Sequence, residues 1–474
     1  MNAGLIRKFL VKRYIIFTCI AVFCVNISGS LVQTLKESAG GTSLKRIEIN
    51  AAKDDANISP VLKYKDIQLL KSRYDNCQVS FSSEITSVLT CANKSFKVRN
   101  VLCDSGSFEF LNIKMVAGNF FQDKDDQFGL NSVIISDKLC ASLFSSYDTL
   151  GYKVKISGQI YVIAGIYKTD GSVLSFLGSD GEDRVYVPYK SVRDYGGIAV
   201  QSVIIKGESL NTDRFRIEKL EQVLNDSLNT PANGCRIIDF YVKDAVISQT
   251  RDIFVFLIFL ISFFISLKLG YRLLRRYANI LMTRCREEYI REVIKSQIQV
   301  IIKMAVIIVF YATAGFLVIK YTLPDIYIDP KYIPYDNIFD IKFYIDSIKA
   351  ALISHNRSLG CNPSQSELVF SSSMGLNIIA LSISSVFFIL SVGSVRLFSI
   401  LGIKAAELVK YFILASLIGN TLTIACTMAF SLSPGISVIP ASVMLIFHVC
   451  YLLCISKCDG IIANKAQNES GISY

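Results

Sequence analysis

The sequence lacks a phosphate-cradling loop. The pattern G-x-x-x-x-G-K-[ST] occurs nowhere in its 474 residues, and the cluster Gly40-Gly41-Thr42-Ser43 has neither the spacing nor a Lys before its Ser. The Gly-rich backbone that wraps a nucleotide's phosphates is missing, which excludes ATP hydrolysis by this chain. Histidine is nearly absent: His355 and His448 are the only two, and a lone His is more often structural or exposed than catalytic. No Ser/His/Asp order and no paired-carboxylate signature stands out, so an enzyme is not indicated. The thirteen cysteines include no CxxC. Cys77, Cys91, Cys103, Cys140, Cys235 and Cys361 have no framework spacing, so they read as free buried thiols rather than disulfides or zinc ligands. Cys450, Cys454 and Cys458 recur every four residues, as a helix-packing stripe would. The long apolar runs hold almost no ionisable residues. Asn26, Asn377 and Asn420 are their main strongly polar residues, which weakens a proton relay or ion-coupled carrier. Asn420 and Ser416 are expected to join helices by hydrogen bonds.

What is present is apolar surface in excess. Hydrophobic residues make up 51% of the chain and charged residues 19%, a balance that calls for several membrane spans beside a large polar part. Six stretches can cross a bilayer, roughly Tyr14–Val32, Ile253–Leu269, Val300–Ile319, Leu376–Val395, Tyr411–Phe430 and Ile436–Ile455. The polar stretch between the first two is long enough for one or two small domains, and the loop Tyr321–Ser373 is too short for a large core.

Orientation follows the Lys/Arg bias. Arg7, Lys8, Lys12 and Arg13 precede the first span. Lys268, Arg272, Arg275, Arg276, Arg284, Arg286, Arg291, Lys295 and Lys303 surround the second connection, against Glu287, Glu288 and Glu292. Arg396, Lys404 and Lys410 flank the fourth connection. Alternating spans put all three regions on one side, the cytoplasm, and the large polar stretch outside. The net charge of +11 is then a topology signal, and no basic face remains on a soluble domain to bind nucleic acid. The first span reads as an uncleaved anchor rather than a signal peptide, because its apolar run is long and Ser28-Gly29-Ser30 is a mediocre cleavage site.

The outer stretch reads as mixed α and β. Strands are expected at Ser43–Asn50, Gln78–Cys91, Phe96–Cys103, Ser132–Ile135, Val185–Pro188 and Val200–Lys206. A hairpin, Val154–Ser157 with Ile160–Tyr167, turns around Gly158-Gln159. Helices are expected at Ser59–Tyr74, Ser136–Phe144 and Asn211–Asn225. Asp239–Thr250 runs into the second span without a Gly or Pro break, as a helical stalk would. A weak internal echo relates Ile253–Ile319 to Leu376–Phe430, each a span, a basic connection and a span.

The stretch Met115–Tyr189 resembles the extracytoplasmic core domain of MacB-like transporter permeases. It carries the turn Ala117-Gly118-Asn119-Phe120, then a strand and helix ending in Leu143-Phe144. A loop closes on Leu150-Gly151, a hairpin ends in Ile163-Ala164-Gly165-Ile166, and the strand Val185-Tyr186-Val187-Pro188 closes the unit. Arg396, Leu401-Gly402 and the helix Ala405–Phe412 resemble FtsX-like permease domains, although Leu397, Phe398 and Ser399 stand where that family has a carboxylate.

The resemblance implies a multi-span α-helical membrane protein with a mixed α+β extracytoplasmic domain between the first and second spans. The expected parts are an N-terminus and anchor over 1–32, a core domain over 33–250 and two spans with a basic connection over 251–320. An outer loop over 321–373 and an FtsX-like region over 374–474 complete the chain. The implied function is the permease subunit of an ATP-binding cassette transporter in the plasma (inner) membrane, driving export or mechanotransmission. ATP would be bound by a separate cytoplasmic ATPase, and no cofactor by this chain. A homodimer or a heterodimer with another permease is implied. The usual form has four spans, so the extra pair and the loop Tyr321–Ser373 are departures. Candidate docking residues for the ATPase are Leu401, Gly402, Ile403, Lys404 and Glu407, with Arg284, Arg286, Glu287 and Glu288 on the basic connection. For Arg272, Arg275 and Arg276, contact with anionic lipid is the favoured role. The alternative is a membrane-anchored sensor or scaffold regulating a cell-wall hydrolase or signalling partner.

Overall fold

The computed structural model describes residues 3–38, 45–51, 62–92, 94–111, 113–146, 148–169, 171–178, 181–193, 195–212, 216–228, 235–287, 289–322, 327–328, 332–334, 337–358 and 364–453. Expectations for Ser43, Ser59-Pro60, Glu288, Cys361, Cys454 and Cys458 lie outside these residues, as do the side chains of Glu287, Arg291 and His355. The chain divides into a helical unit (Met1–Val32, Ser248–Ile326, Gly375–Tyr474) and a sheet unit (Gln33–Ile247, Tyr327–Met374).

The sheet unit holds ten described strands: β1 Ile47–Ala51, β2 Gln78–Cys91, β3 Lys94–Cys103, β4 Lys114–Gly118, β5 Ser132–Ser136, β6 Lys153–Ile156, β7 Gln159–Lys168, β8 Asp183–Pro188, β9 Ser202–Lys206 and β10 Cys235–Asp239. Its helices are α2 Tyr64–Arg73, α3 Phe108–Leu111, α4 Asp123–Gln127, α5 Asp137–Phe144, α6 Val173–Leu177, α7 Glu208–Thr212, α8 Arg216–Leu228 and α12 Ile341–Ser358. The remaining helices are α1 Ala3–Ser38, α9 Phe240–Glu287, α10 Ile290–Ser296, α11 Ile298–Thr322, α13 Gln365–Ile400 and α14 Ala405–Ala429, followed by α15, Val438–Leu453.

The strands run in the order β10-β1-β9-β2-β3-β8-β5-β7-β4, and β6 pairs with both β2 and β7. Strands β2, β3, β8, β5, β7 and β6 therefore close a hydrogen-bonded ring. The β5–β8 seam rests on one aligned pair, Ile134 with Tyr186. Strand alternation sends one apolar set inward: Leu89, Val98, Val133, Ile135, Val154, Ile156, Tyr161, Ile163, Val185 and Val187 join one core cluster. Burial of this kind stabilises by about 25 cal/mol per Å² of apolar surface.

Several expected boundaries shift by a residue or two. Ser136 is the N-cap of α5, its side chain accepting from the Leu139 N–H. The β6–β7 turn is Ser157-Gly158, since Ile156 faces Gln159 across the ladder. Both turn residues have positive φ, 47° and 92°, as a two-residue primed turn requires. Only the glycine advertised that in the sequence. Val200 makes an isolated bridge with Leu62 rather than opening β9. The helix expected over Asn211–Asn225 is described as α7 and α8.

In the helical unit, the helices Leu5–Glu37, Phe240–Arg286, Gln365–Ile400 and Ala405–Ala429 are long and apolar enough to cross a membrane. The expected third and sixth spans fall on shorter apolar helices, Ile298–Thr313 and Val438–Leu453. Pro440 sits in the first turn of α15, where a missing N–H costs no intrahelical bond. The unit's core joins Tyr14, Val22 and Val25 of α1 to Phe388, Val395 and Phe398 of α13, Phe412 of α14 and Met444 and Phe447 of α15.

Candidate functional site

The α13–α14 turn is built by helix-capping chemistry. The Gly402 N–H donates to Ser399 O at 3.1 Å and the Ile403 N–H to Phe398 O at 3.1 Å. Gly402 has φ +67°. This is the paired-bond, left-handed helix ending that favours glycine. Its usual apolar contact is present too, because Phe398 and Ile403 are both buried in the helical core. Lys404 is the N-cap of α14, with extended backbone. Its carbonyl accepts from the Glu407 and Leu408 N–H groups at 3.0 and 3.2 Å. Glu407 lies in the first turn, where a carboxylate complements the helix dipole. Its Oε2 accepts from Arg7 Nη2 at 2.6 Å.

The five candidates thus form one turn with two faces. Leu401, Gly402 and Lys404 are exposed and Ile403 is buried. Arg284 and Arg286 stand elsewhere, exposed in the last turn of α9, where basic groups complement a helix C-terminus. Glu287 is the last residue of that helix. Arg7 was legible only as a topology charge. Four hundred residues separate it from Glu407, and no local pattern could have paired them.

Polar side chains join the apolar helices. Asn26 Nδ2 donates to Asn420 Oδ1 at 2.7 Å, Ser28 donates to Asn377, and Ser384 donates to Ala21 O at 2.9 Å. The expectation for Ser416 fails: its buried Oγ has no hydrogen-bond partner among the described residues. On the same helix Ala415 and Gly419 are buried. His448 is fully buried, 2.8 Å from Ser391 Oγ and ringed by Tyr14, Phe388 and Phe412. That is a packing environment.

The quoted motif of the sheet unit also resolves into packing. Gly118 and Gly165 face each other across the β4–β7 ladder. Gly118 has φ +69°, and a Cβ there would strike Ala164 O and Leu150. A Cβ on Gly165 would meet Met115 and come within 2.8 Å of Asn119 O. The Gly151 N–H donates to Ile163 O at 2.8 Å, and the rings of Phe144 and Tyr152 meet edge-on at 5.5 Å. The thiols of Cys103 and Cys235 are buried, and burial pushes the Cys235 thiol up to about 11 and Cys103 well above its ordinary value. Neither is a reactive thiolate.

Beside this core, α4 carries Asp126, which faces Asp104, Asp123, Lys71 and Lys190. Burial first, and then the Asp104 charge, raise its carboxyl to about 6. Asp104 itself accepts from Ser80 and Ser107 and from Lys71 Nζ at 3.0 Å.

Residues 15–220 match the family model of the MacB-like periplasmic core domain. The match takes in strands β1 to β9 of the sheet unit and stops short of β10, and it spans less than half of the chain. Among solved structures, the chain is similar to the periplasmic region of MacB from Actinobacillus actinomycetemcomitans. Identity is 17% and the TM-score 0.37, over 46% of this chain and 98% of that one. It is also similar to the extracellular domain of the noncanonic ABC-type transporter YknZ from Gram-positive bacteria. There the identity is 21% and the TM-score 0.34, over 41% and 99% of the two chains. No curated protein matches the chain. The family match and the apolar helices together support a transporter permease role in a multi-pass membrane protein with an extracytoplasmic domain.

Proposed function

We propose that this chain is the permease subunit of an ATP-binding cassette transporter, relaying ATP hydrolysis by a separate cytoplasmic ATPase to its extracytoplasmic domain. The observation that carries this reading is the MacB-like match over residues 15–220, which begins inside the first apolar helix and ends before the second. ATP is bound by the partner. The N-terminus and the α13–α14 turn lie in the cytoplasm, in keeping with the basic residues at Arg7, Lys8, Lys404 and Lys410. The exposed Leu401-Gly402 corner and the start of α14 form the ATPase's docking element, and Arg7 holds Glu407 in place there. A short helix presented by a fixed turn can seat in a partner's groove and follow its motion.

The test is purification from native membrane. An ATPase should accompany the wild-type chain and be lost with Leu401→Asp, which alters an exposed side chain and leaves membrane insertion intact. Unchanged co-purification with Leu401→Asp would remove the turn as the docking element. A wild-type chain that brings down no ATPase would remove the permease reading itself.

A further inference from the structure

One face of the extracytoplasmic sheet buries charge. Along β1, Ile47 and Ile49 belong to the apolar core. Strand alternation turns Arg46, Glu48 and Asn50 to the opposite face, and β10 places Arg236 directly across from Asn50. The first turns of α9 add Phe240 and Lys243, and those of α13 add Ser366 and Glu367. All of these residues belong to the sheet unit.

The pairing is incomplete. Arg236 Nη2 donates to Glu367 Oε1 at 2.5 Å, and Lys243 Nζ reaches the same oxygen at 3.5 Å. Glu48 accepts from Ser366 Oγ at 2.6 Å and from Asn50 Nδ2 at 3.1 Å. Arg46 Nη2 stands 3.9 Å from Glu48, beyond hydrogen-bond reach, with its guanidinium 5.0 Å from the centre of the Phe240 ring. Three cations thus meet two carboxylates, leaving one positive charge in excess. Arg46 is 5% exposed, and its Nε and Nη1 have no hydrogen-bond partner among the described residues. Arg236 Nη1 and Glu367 Oε2 also lack one there. Burying a charged donor without a partner is costly. The side chains of Arg236 and Lys243 are 24% and 28% exposed, so the cluster opens to solvent on their side.

We propose that the cluster of Arg46, Arg236 and Lys243 binds a singly charged oxyanion of the phosphate class. One negative charge balances the excess. Guanidinium forks match oxyanions in geometry. The idle Glu367 Oε2 needs a donor, which the P–OH of monobasic phosphate or of a phosphomonoester supplies and a halide does not. The anion ties the sheet edge to the first turns of α9 and α13 at one point.

The experiment uses the full-length chain in nanodiscs of phosphatidylcholine, titrated with inorganic phosphate at constant ionic strength and followed by calorimetry. Saturable binding is expected. Arg236→Gln should weaken it about tenfold, the loss of one charge-assisted contact. Glu367→Gln raises the positive excess and sets an amide N–H, a donor to a phosphate oxygen, where Oε2 accepted the P–OH, so it should tighten binding. Lys243→Gln replaces Arg236→Gln if circular dichroism shows that variant misfolded. Nanodiscs with added phosphatidic acid separate the sources. Competition with inorganic phosphate identifies a lipid phosphomonoester, and its absence identifies the free anion. No saturable binding by the wild type, or equal weakening by Arg236→Gln and Glu367→Gln, would overturn the proposal.

Discussion

Gly118 and Gly165 show how a family phrase can be a steric requirement rather than a chemical one. They oppose each other in one ladder, and each leaves no room for a Cβ. Gly118→Ala combines left-handed backbone with a backbone clash and should cost about 2–4 kcal/mol. Thermal unfolding of the full chain in detergent should show it as a lowered midpoint for the sheet domain; an unchanged midpoint would contradict the geometry. Asp126 gives a second expectation. Its folded-state carboxyl titrates near 6, above the ordinary value of 3.8, because burial and Asp104 disfavour its charge. The stability it contributes is fully present below about pH 3.8 and is lost as pH rises through about 6. Asp126→Asn should therefore raise the unfolding midpoint at pH 7 and flatten its pH dependence between those two values. If the variant and the wild type follow the same curve, Asp126 is not the titrating group.

Among the elements, the α13–α14 turn sorts the docking candidates. Leu401 is exposed, whereas Ile403 is buried against Phe398 and Leu408. Leu401→Asp should change partner binding at little cost to stability. Ile403→Asp should cost several kcal/mol by burying a carboxylate without a partner, read as loss of folded protein on size exclusion. Equal loss from both variants would contradict this division. Helix α9 is 48 residues long, about 72 Å at 1.5 Å per residue, against about 30 Å for a bilayer's hydrocarbon. If the proposed relay runs along this helix, three glycines inserted after Val246 should abolish transport-coupled activity while expression and insertion persist, and retained activity would remove the helix from the relay. Much of this was readable in advance. The long β2 and β3 and the capped α5 carry strong alternation or cap signals. Strands β4 and β10 do not: Lys114–Gly118 and Cys235–Asp239 are short and gain their strand character from partners on β7 and β1. The α13–α14 turn was legible from Gly402, but its clasp by Arg7 was not.

At the scale of the molecule, the sequence pattern separates an apolar set of helices from a soluble sheet. It could not show that the sheet closes on itself. That closure depends on β6 meeting β2 at Leu89 and Thr90, a pairing across more than sixty residues that no local turn specifies. The buried charge around Arg46 was equally hidden. Its members come from four elements, and each looks like an ordinary surface residue when read alone.

The position of β1 has a consequence for the order of events during synthesis. It lies between β9 and β10, with Ile47 opposite both Ile205 and Asp239. The strand made first waits for β9 at Ser202–Lys206 and then for β10 at Cys235–Asp239, and contacts so distant in sequence form slowly. Its last partner, β10, ends at Asp239, immediately before α9 begins at Phe240. Completion of the sheet and entry of the next span into the membrane therefore fall at the same moment of translation. Until then the edges of β1 stand open, and the nascent domain depends on whatever shields them outside the membrane.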